Sequence, residues 1–337
     1  MLFYLIESKV MRILSFFCGC GGLDLGFRNA GYHIIWANDN ALSVKGTYEY
    51  NFPETTFCNS NINTLSLDDI PGDAVGIIGG PPCQSWSNAG KGGGFDDPRG
   101  KLFLSFINIL KEKQPLFFVA ENVKGLLAAR NKDSFNRIKE AFKEAGFDLW
   151  VDCLNANDFQ VPQNRERVIF VGFRKGLNIQ YAFPQPLISK PVVRDVILDL
   201  QDTAVPMGQT PIINAHEYWM GGCSYIYMSR NRVLDWSKPS FTIQASGRQT
   251  SMHPRAPKMV KVEKDVFIFS PESRNMYRRL TARECARIQS FPDDFEFKYQ
   301  SLNDAYKMIG NAVPVNLSYH IALSIRRVLE DAHIWYE

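Results

Sequence analysis

Between residues 13 and 173, short apolar runs alternate with stretches whose apolar positions recur at helical spacing, and that alternation restricts the chain to few folds. Strands are predicted at 13–17, 33–37, 74–78, 116–120, 149–154 and 168–173. Helices are predicted from the glycines after the first strand to about Ala30, then at 41–50, 101–113 and 132–145. Strand and helix following one another make βαβ units, so the expected fold is α/β, a doubly wound, mostly parallel sheet with helices on both faces. Such sheets hold ligands outside the carboxyl ends of their strands. Residues that directly follow each apolar run are therefore the first candidates for function.

After Arg174 the texture changes. Pro184, Pro186, Pro191, Pro206, Pro211, Pro239, Pro254 and Pro257 interrupt the chain and few periodic segments survive, so residues 177–275 read as a smaller, irregular domain. Regular patterning returns with a capped helix at 281–289 and an apolar-striped helix at 315–329 that can pack back on the first sheet. The larger domain, 11–176 with 276–337, is thus expected to be interrupted near its end, leaving a cleft between the two. The net charge of +3 is small, but residues 205–262 carry seven basic residues (Arg230, Arg232, Lys238, Arg248, Arg255, Lys258 and Lys261) against two acidic ones, Glu217 and Asp235. A local basic surface is what a nucleic-acid footprint requires, although a solvated basic loop has the same composition.

Hydrophobic residues at 45% and charged residues at 22% describe an ordinary globular chain. No apolar run reaches spanning length, and residues 1–6 are followed by Glu7 and Lys9 without a small-residue cleavage site, so neither a membrane segment nor a secretory signal is expected. Seven cysteines, an odd number, suit a reducing cytoplasm. Cys18 and Cys20 lack a second pair at ligand spacing, so no metal site is expected.

Gly79-Gly80-Pro81-Pro82-Cys83-Gln84-Ser85-Trp86-Ser87 sets a cysteine on a rigid turn directly after an apolar run. The prolines fix φ so that the next side chain projects from the strand's carboxyl end, where a nucleophile belongs. Taken alone, a cysteine there is equally a small buried hydrophobe. Phe16-Phe17-Cys18-Gly19-Cys20-Gly21-Gly22-Leu23 follows the first strand and opens a helix, and its glycines allow close backbone approach to a ligand. The spacing is not the dinucleotide fingerprint and no phosphate-loop lysine follows, so a nucleotide without a pyrophosphate fits better. Asp39, ending the second strand, stands where a carboxylate can hold both ribose hydroxyls; a tight turn without a ligand explains the glycines as well. Gly310-Asn311-Ala312-Val313-Pro314 suits a loop closing over a ligand, or an ordinary helix entry.

Taken in order, the glycine turn, the Pro-Pro-Cys-Gln loop, Glu121-Asn122-Val123, Gln163-Asn164-Arg165-Glu166-Arg167, Arg279-Leu280-Thr281-Ala282-Arg283-Glu284 and the terminal Gly-Asn-Ala-Val-Pro resemble the DNA cytosine-5 methyltransferases, from about Arg12 to Leu329. Met228-Ser229-Arg230-Asn231-Arg232-Val233 and Gln244-Ala245-Ser246-Gly247-Arg248-Gln249 further resemble bacterial restriction-modification enzymes that methylate GGCC. The resemblance implies S-adenosylmethionine as cofactor, duplex DNA as substrate and the inner cytosine of GGCC as target, in a monomer acting separately from any cognate endonuclease. It implies that Phe17, Gly19, Gly21 and Gly22 line the methionine and adenosine, that Asp39 takes the ribose, and that Ile62, Pro81, Leu102, Asn311, Ala312 and Val313 complete the pocket. Asn61 stands where an acidic residue usually faces the adenine amino group, and Asn40 where an aromatic often packs on the adenine. An asparagine oxygen still accepts that hydrogen bond, without charge assistance, so these departures bear on cofactor affinity rather than chemistry. Residues 1–10 match nothing in the family, which leaves Met11 as an alternative start to Met1.

The chemistry accounts for the residue types. C5 of cytosine is a poor nucleophile until a thiolate, here Cys83, adds to C6. A free thiol has a pKa of about 8.5 and needs nearby cations to ionise, and Arg165 and Arg167 are candidates. The attack also needs N3 protonated or strongly hydrogen-bonded, a role a desolvated carboxylic acid can fill, and Glu121 is the residue for it. The base must leave the duplex to reach the cleft. Arg167, and secondarily Arg165, would then hold it through O2 and its phosphate. The stretch 85–100, rich in glycine, would close as a lid. Gln84 and Ser85 would touch DNA, Arg230, Arg232 and Arg248 would read guanines in the major groove, and Lys238, Lys258 and Lys261 would anchor phosphates. Two other readings stay open: a cytosine-5 methyltransferase of transfer RNA on the same scaffold, and a catalytically silent DNA-binding regulator.

Overall fold

β1 (Met11–Phe16) is buried at every position but Arg12, because both faces of the strand are covered. In the computed structural model, which describes residues 11–82 and 98–334, it pairs in parallel with β2 (Tyr32–Asn38) on one side and β4 (Gly76–Gly79) on the other. Cys83, Gln84 and Ser85, and most of the expected lid at 85–100, lie outside the described residues. β3 (Thr56–Cys58) extends the sheet beyond β2, and β5 (Phe117–Val123) extends it beyond β4. β7 (Glu166–Arg174) then pairs antiparallel with β5, and β6 (Phe147–Asn155) ends the sheet antiparallel to β7. The order β3-β2-β1-β4-β5-β7-β6 is the mostly parallel, doubly wound sheet expected from the sequence. Connections leave β1 to one side and return to β4 on the other, so the switch point lies at the carboxyl ends of these two strands.

Alternation along the strands sorts side chains into two layers. In β5, Phe117 and Val119 join one layer while Phe118 and Ala120 join the other. The first layer is covered by α1 (Gly22–Asn29), α2 (Leu42–Asn51) and α8 (Val315–Asp331), the second by α3 (Pro98–Lys113) and α4 (Lys132–Glu144). Phe118 stacks on Phe142 of α4 at 4.4 Å. Its partner across the ladder is Gly172, where a Cβ would stand 2.0 Å from the Phe118 ring, so that large side chain needs a glycine opposite. α1 and α8 approach as closely: a Cβ on Gly26 would lie 2.4 Å from the Ser318 Cβ, and Ser318 Oγ donates to the Leu23 carbonyl at 2.5 Å. This contact carries the loop before α8 to the glycine turn before α1.

Residues 177–275 contain only short strands. β8 (Val205–Pro206) pairs with β9 (Glu217–Tyr218), and β10 (Val260–Glu263) with β11 (Val266–Ile268). Tyr227, Val233, Met252, Ala256 and Met259 form a small cluster of their own, whereas Ile179, Tyr181, Val193 and Ile197 are buried in the main core. α5 (Arg194–Ile197) belongs to that packed portion. α6 (Ala282–Ile288) begins as expected at a capping box, Thr281 with Glu284. α7 (Leu302–Asn311), a helix beyond those predicted, begins at a second box made by Ser301 and Asp304. Among the described residues no helix is long and apolar enough to cross a membrane.

Asp24, in the first turn of α1, is fully buried and accepts a hydrogen bond from the Tyr48 hydroxyl at 2.9 Å. Burial pushes its pKa from 3.8 up to about 6, against the pull of Ser15, Tyr48 and Arg28. The folded-state value lies above the unfolded one, so its contribution to stability is present below pH 3.8 and is lost as the pH rises through about 6. Asp24→Asn cannot ionise. It is expected to gain about 1–3 kcal/mol relative to wild type between pH 4 and pH 8, read from urea unfolding at both pH values; a difference that does not vary with pH would contradict the burial argument.

Candidate active site

The residues directly after β1, β2 and β4, together with the last residues of β5, line one cavity of about 360 Å³ at the switch point. Phe17 and Gly19 hold left-handed backbone angles, φ 53° and 55°, in a turn whose Gly21 has φ 90°. For Phe17, a residue with a side chain, this is strain of the kind stored at functional sites. A Cβ on Gly19 would meet nothing within 4 Å, so the glycine leaves open space at the cavity wall. A Cβ on Gly22 would lie 2.5 Å from the Val313 carbonyl, which shows how closely the loop before α8 rests on the turn.

Asp39 ties the first two strands together at this rim. Its Oδ2 accepts from the Gly19 N–H at 3.0 Å and its Oδ1 from the Ala41 N–H at 2.8 Å. Burial raises its pKa, and these two N–H groups with Lys307 pull it back. Lys307, one turn before Asn311 on α7, is exposed and also lines the cavity. Sequence reasoning passed over it because α7 itself was not foreseen. Of the expected cofactor residues, Phe17, Gly19, Gly22, Asp39, Pro81, Asn311, Ala312 and Val313 line the cavity, and so does Asn40. Gly21 instead faces Phe52, Ile62 is buried in the second layer and Leu102 packs against that layer. Asn61 directs its Oδ1 to the Asn63 N–H at 3.0 Å, closing a helical turn at Ile62–Thr64.

Pro81 and Pro82, the two residues before Cys83, line the cavity too. Asn122 Nδ2 donates to the Pro81 carbonyl at 3.3 Å, which fastens this loop to the end of β5. Glu121 and Arg167 meet across the cavity wall as an ion pair, Oε1 to Nε 2.7 Å, with both side chains only 12% exposed. Arg165 is fully buried and acts on backbone. Its Nη2 donates to the Ala312 carbonyl at 2.9 Å and its Nη1 to the Ile243 carbonyl at 3.5 Å, and its Nε has no hydrogen-bond partner among the described residues. Burial and the neighbouring Arg167 pull its pKa well down, opposed by Glu121. A buried carboxylate–guanidinium pair beside a glycine-walled nucleoside-sized cavity suits proton and charge management on a polar ring.

Residues 11–327 match the family of C-5 cytosine-specific DNA methylases. The chain belongs to that family. It is 49% identical over 329 residues to the type II methyltransferase M.NgoPII of Neisseria gonorrhoeae, covering 95% of this chain and 96% of the relative. To M.FnuDI of Fusobacterium nucleatum it is 50% identical over 331 residues, with the same coverage. A crystal structure described as a DNA modification methyltransferase encoded within an Escherichia coli prophage superposes with a TM-score of 0.75 at 23% identity, covering 95% of this chain and 99% of that one. The fold is that of the S-adenosylmethionine-dependent methyltransferases, and the chain is a DNA cytosine-5 methyltransferase.

The methyltransferase carries its three candidate reading arginines in different states. Arg230 and Arg248 are exposed. Arg232 donates from Nε to the Tyr227 carbonyl at 2.6 Å and from Nη2 to the Ile226 carbonyl at 2.8 Å, while its guanidinium lies 4.8 Å from the Tyr227 ring centre. Arg279 covers the same ring at 4.9 Å and holds the carbonyls of Gly221 and Arg248 at 2.8 and 3.0 Å. Arg279 lay in a motif used only to establish the resemblance; nothing in the sequence shows that it fixes the Arg248 turn. For the central pair, Glu121→Gln keeps the shape of the side chain and removes its charge and its ability to exchange a proton. It is expected to lower kcat on DNA by roughly 10²–10⁴ with the circular dichroism spectrum unchanged; a loss below tenfold would take Glu121 out of the chemistry.

Proposed function

We propose that this methyltransferase acts on a cytosine flipped out of duplex DNA, through a covalent bond between Cys83 and C6 of the ring, with GGCC as its site and the inner cytosine as target. The observation that carries the reading is the convergence on one cavity of the glycine turn, Asp39, the Pro81–Pro82 approach to Cys83 and the Glu121–Arg167 pair. The residues present fit S-adenosylmethionine: Gly19 leaves its wall open, Asp39 retains lone pairs beyond its two backbone contacts, and Phe17, Asn311 and Val313 supply the remaining wall. When bound, that cofactor supplies an electrophilic methyl group. Asp39 would hold the ribose hydroxyls, and Asn40 would lie along the base in place of an aromatic. Asn61 would offer the adenine amino group an oxygen already shared with Asn63.

Cys83 forms the S–C6 bond as a thiolate, and electron density moves to C5 and N3. Glu121 meets N3 with a hydrogen bond or proton, so the density is not left as an uncompensated charge. For this the carboxyl group loosens its contact with Arg167, whose fork then reaches O2 of the ring. Arg165 holds the Ala312 carbonyl in place and adds positive potential at the cavity wall, which favours a thiolate there. Resolution requires loss of the C5 proton and departure of the Cys83 thiolate from C6. A stacked base cannot be reached from both faces, which is why it must enter the cleft between the sheet and residues 177–275, the part we assign to target recognition. Gln84 and Ser85 would contact the DNA from the Cys83 side. Because the similar proteins named above are type II methyltransferases, we infer a protective role beside a separate cognate endonuclease, in the cytoplasm and as a monomer.

A duplex with 5-fluorocytosine at the target should trap the protein, because fluorine cannot leave as a proton does. Denaturing electrophoresis is expected to show an adduct with wild type and none with Cys83→Ala, which should still bind DNA through phosphate contacts. The absence of an adduct on a duplex whose unmodified form is methylated would remove the covalent route.

Guanine presents N7 and O6 to a guanidinium fork, so arginines suit a guanine-rich site. Arg230 and Arg248 are exposed, whereas Arg232 has its Nε and one Nη2 hydrogen committed to the carbonyls of Tyr227 and Ile226, which fixes the guanidinium and leaves its Nη1 side to reach a base. Arg248→Ala is expected to lose about 1–3 kcal/mol of discrimination at one base pair. Lys258→Ala should weaken all sequences alike and lower the salt slope by about one. Methylation rates on GGCC and its single-base variants test this; equal loss on every site for Arg248→Ala, or wild-type activity on sites without GG, would refute the assignment.

A further inference from the structure

Behind the cavity stand two polar side chains that the reaction above leaves unused. Gln163 and Gln289 are fully buried, and neither lines the cavity. Their hydrogen bonds have a direction. The Ile243 N–H can only donate, and it donates to Gln163 Oε1 at 2.9 Å. Gln163 therefore offers its Nε2 to Gln289, whose Oε1 accepts at 2.6 Å. Gln289 is left with its own Nε2 for the far side, where it donates to the carbonyls of Ile309 at 2.8 Å and Ala312 at 3.2 Å. Turning either amide over would set oxygen against oxygen in a buried place. A backbone group in the irregular region thus fixes the orientation of an amide that grips the loop at the end of α7.

Other contacts bind the same two segments. A Cβ on Gly310 would lie 2.5 Å from the Ala245 nitrogen and from the Gln244 carbonyl oxygen, so the two backbones touch. Arg165 bridges the carbonyls of Ala312 and Ile243. The Gln289 carbonyl accepts from the Val315 N–H at 3.1 Å, at the first residue of α8. Asn311, Ala312 and Val313, enclosed by these contacts, face the cavity.

The geometry points to Gln163 and Gln289 as positioning residues: their amide relay sets the 309–313 loop against the cavity and joins it to the 243–245 segment that leads to Arg248. This rests on reading the cavity as the S-adenosylmethionine site. Neither side chain touches the cofactor space, so their loss acts through loop position. Cofactor binding weakens while turnover at saturating cofactor is kept.

The test is calorimetric titration of the full chain with S-adenosylhomocysteine, without DNA, on wild type, Gln289→Met and Gln163→Glu, with thermal unfolding of each. Gln163→Glu keeps the volume and the bond from Ile243 but loses the donor toward Gln289 when ionised; because burial favours a protonated carboxyl that can donate in its place, its binding is read at pH 7 and at pH 9 and the higher pH decides. Each variant is expected to bind at least fivefold more weakly, with the KM for S-adenosylmethionine rising by a similar factor and kcat within threefold of wild type. Ile138→Ala, which opens a hole in the second layer far from the relay, is expected to unfold earlier yet bind as wild type does. Weakening of less than fivefold in a folded variant overturns the proposal. So does equal weakening in Ile138→Ala. If Gln289→Met does not fold, Gln163→Glu decides on the same limit. Wild type that fails to bind S-adenosylhomocysteine would instead defeat the cofactor reading itself.

Discussion

Because β7 runs against β5, the first residues of one strand meet the last residues of the other. Arg167 stands opposite Val123 in the ladder, and Glu121 lies two residues earlier on the same strand end. A parallel β7 would carry both arginines to the opposite edge of the sheet, roughly 30 Å away at about 3.3 Å per residue over its nine residues. The single reversed strand therefore supplies cations to a rim where the ends of β1, β2, β4 and β5 supply none. The pairing of Glu121 with Arg167 depends on that reversal, since Arg165 and Arg167 enter at the start of β7 and Glu121 at the end of β5, whereas Asp39 and Lys307 reach the cavity from the end of β2 and from α7.

Close backbone approach completes the site from the other end of the chain. Gly22 and Gly26 allow the loop at Val313 and helix α8 to press on α1, so residues almost three hundred positions apart form one wall. Arg165, Gln163 and Gln289 then hold that wall to the irregular region through main-chain carbonyls and one N–H. Side chains that bond to backbone in this way fix loop position without depending on the identity of the loop residues.

Much of this was legible in the sequence. Buried strands such as Phe117–Val123 are apolar on both faces and stand out without an alignment, and the glycine turn and Pro-Pro-Cys-Gln loop fall directly after them. The direction of β7 was less evident, although the cue existed: residues 156–165 are too few to carry a crossover helix. β3 has only three residues, too short for any periodic signal. α7 was hidden because its apolar positions lead straight into the Gly-Asn-Ala-Val-Pro loop, and its start is marked only by Ser301 and Asp304. The roles of Asn61 and Arg232 could not be read from the sequence. The Asn61 oxygen and the Nε and Nη2 of Arg232 are engaged by nearby backbone groups, and residue type does not show which partner a side chain chooses.

The central claim is that this rim directs methylation to carbon 5 of cytosine in duplex DNA. Nucleoside mass spectrometry decides it, using duplex DNA incubated with the purified protein and S-adenosylmethionine carrying a deuterated methyl group. The account predicts labelled 5-methyldeoxycytidine and no label on the exocyclic nitrogen of cytosine or adenine. Label on an exocyclic nitrogen, or on transfer RNA but not on DNA under the same conditions, would contradict it.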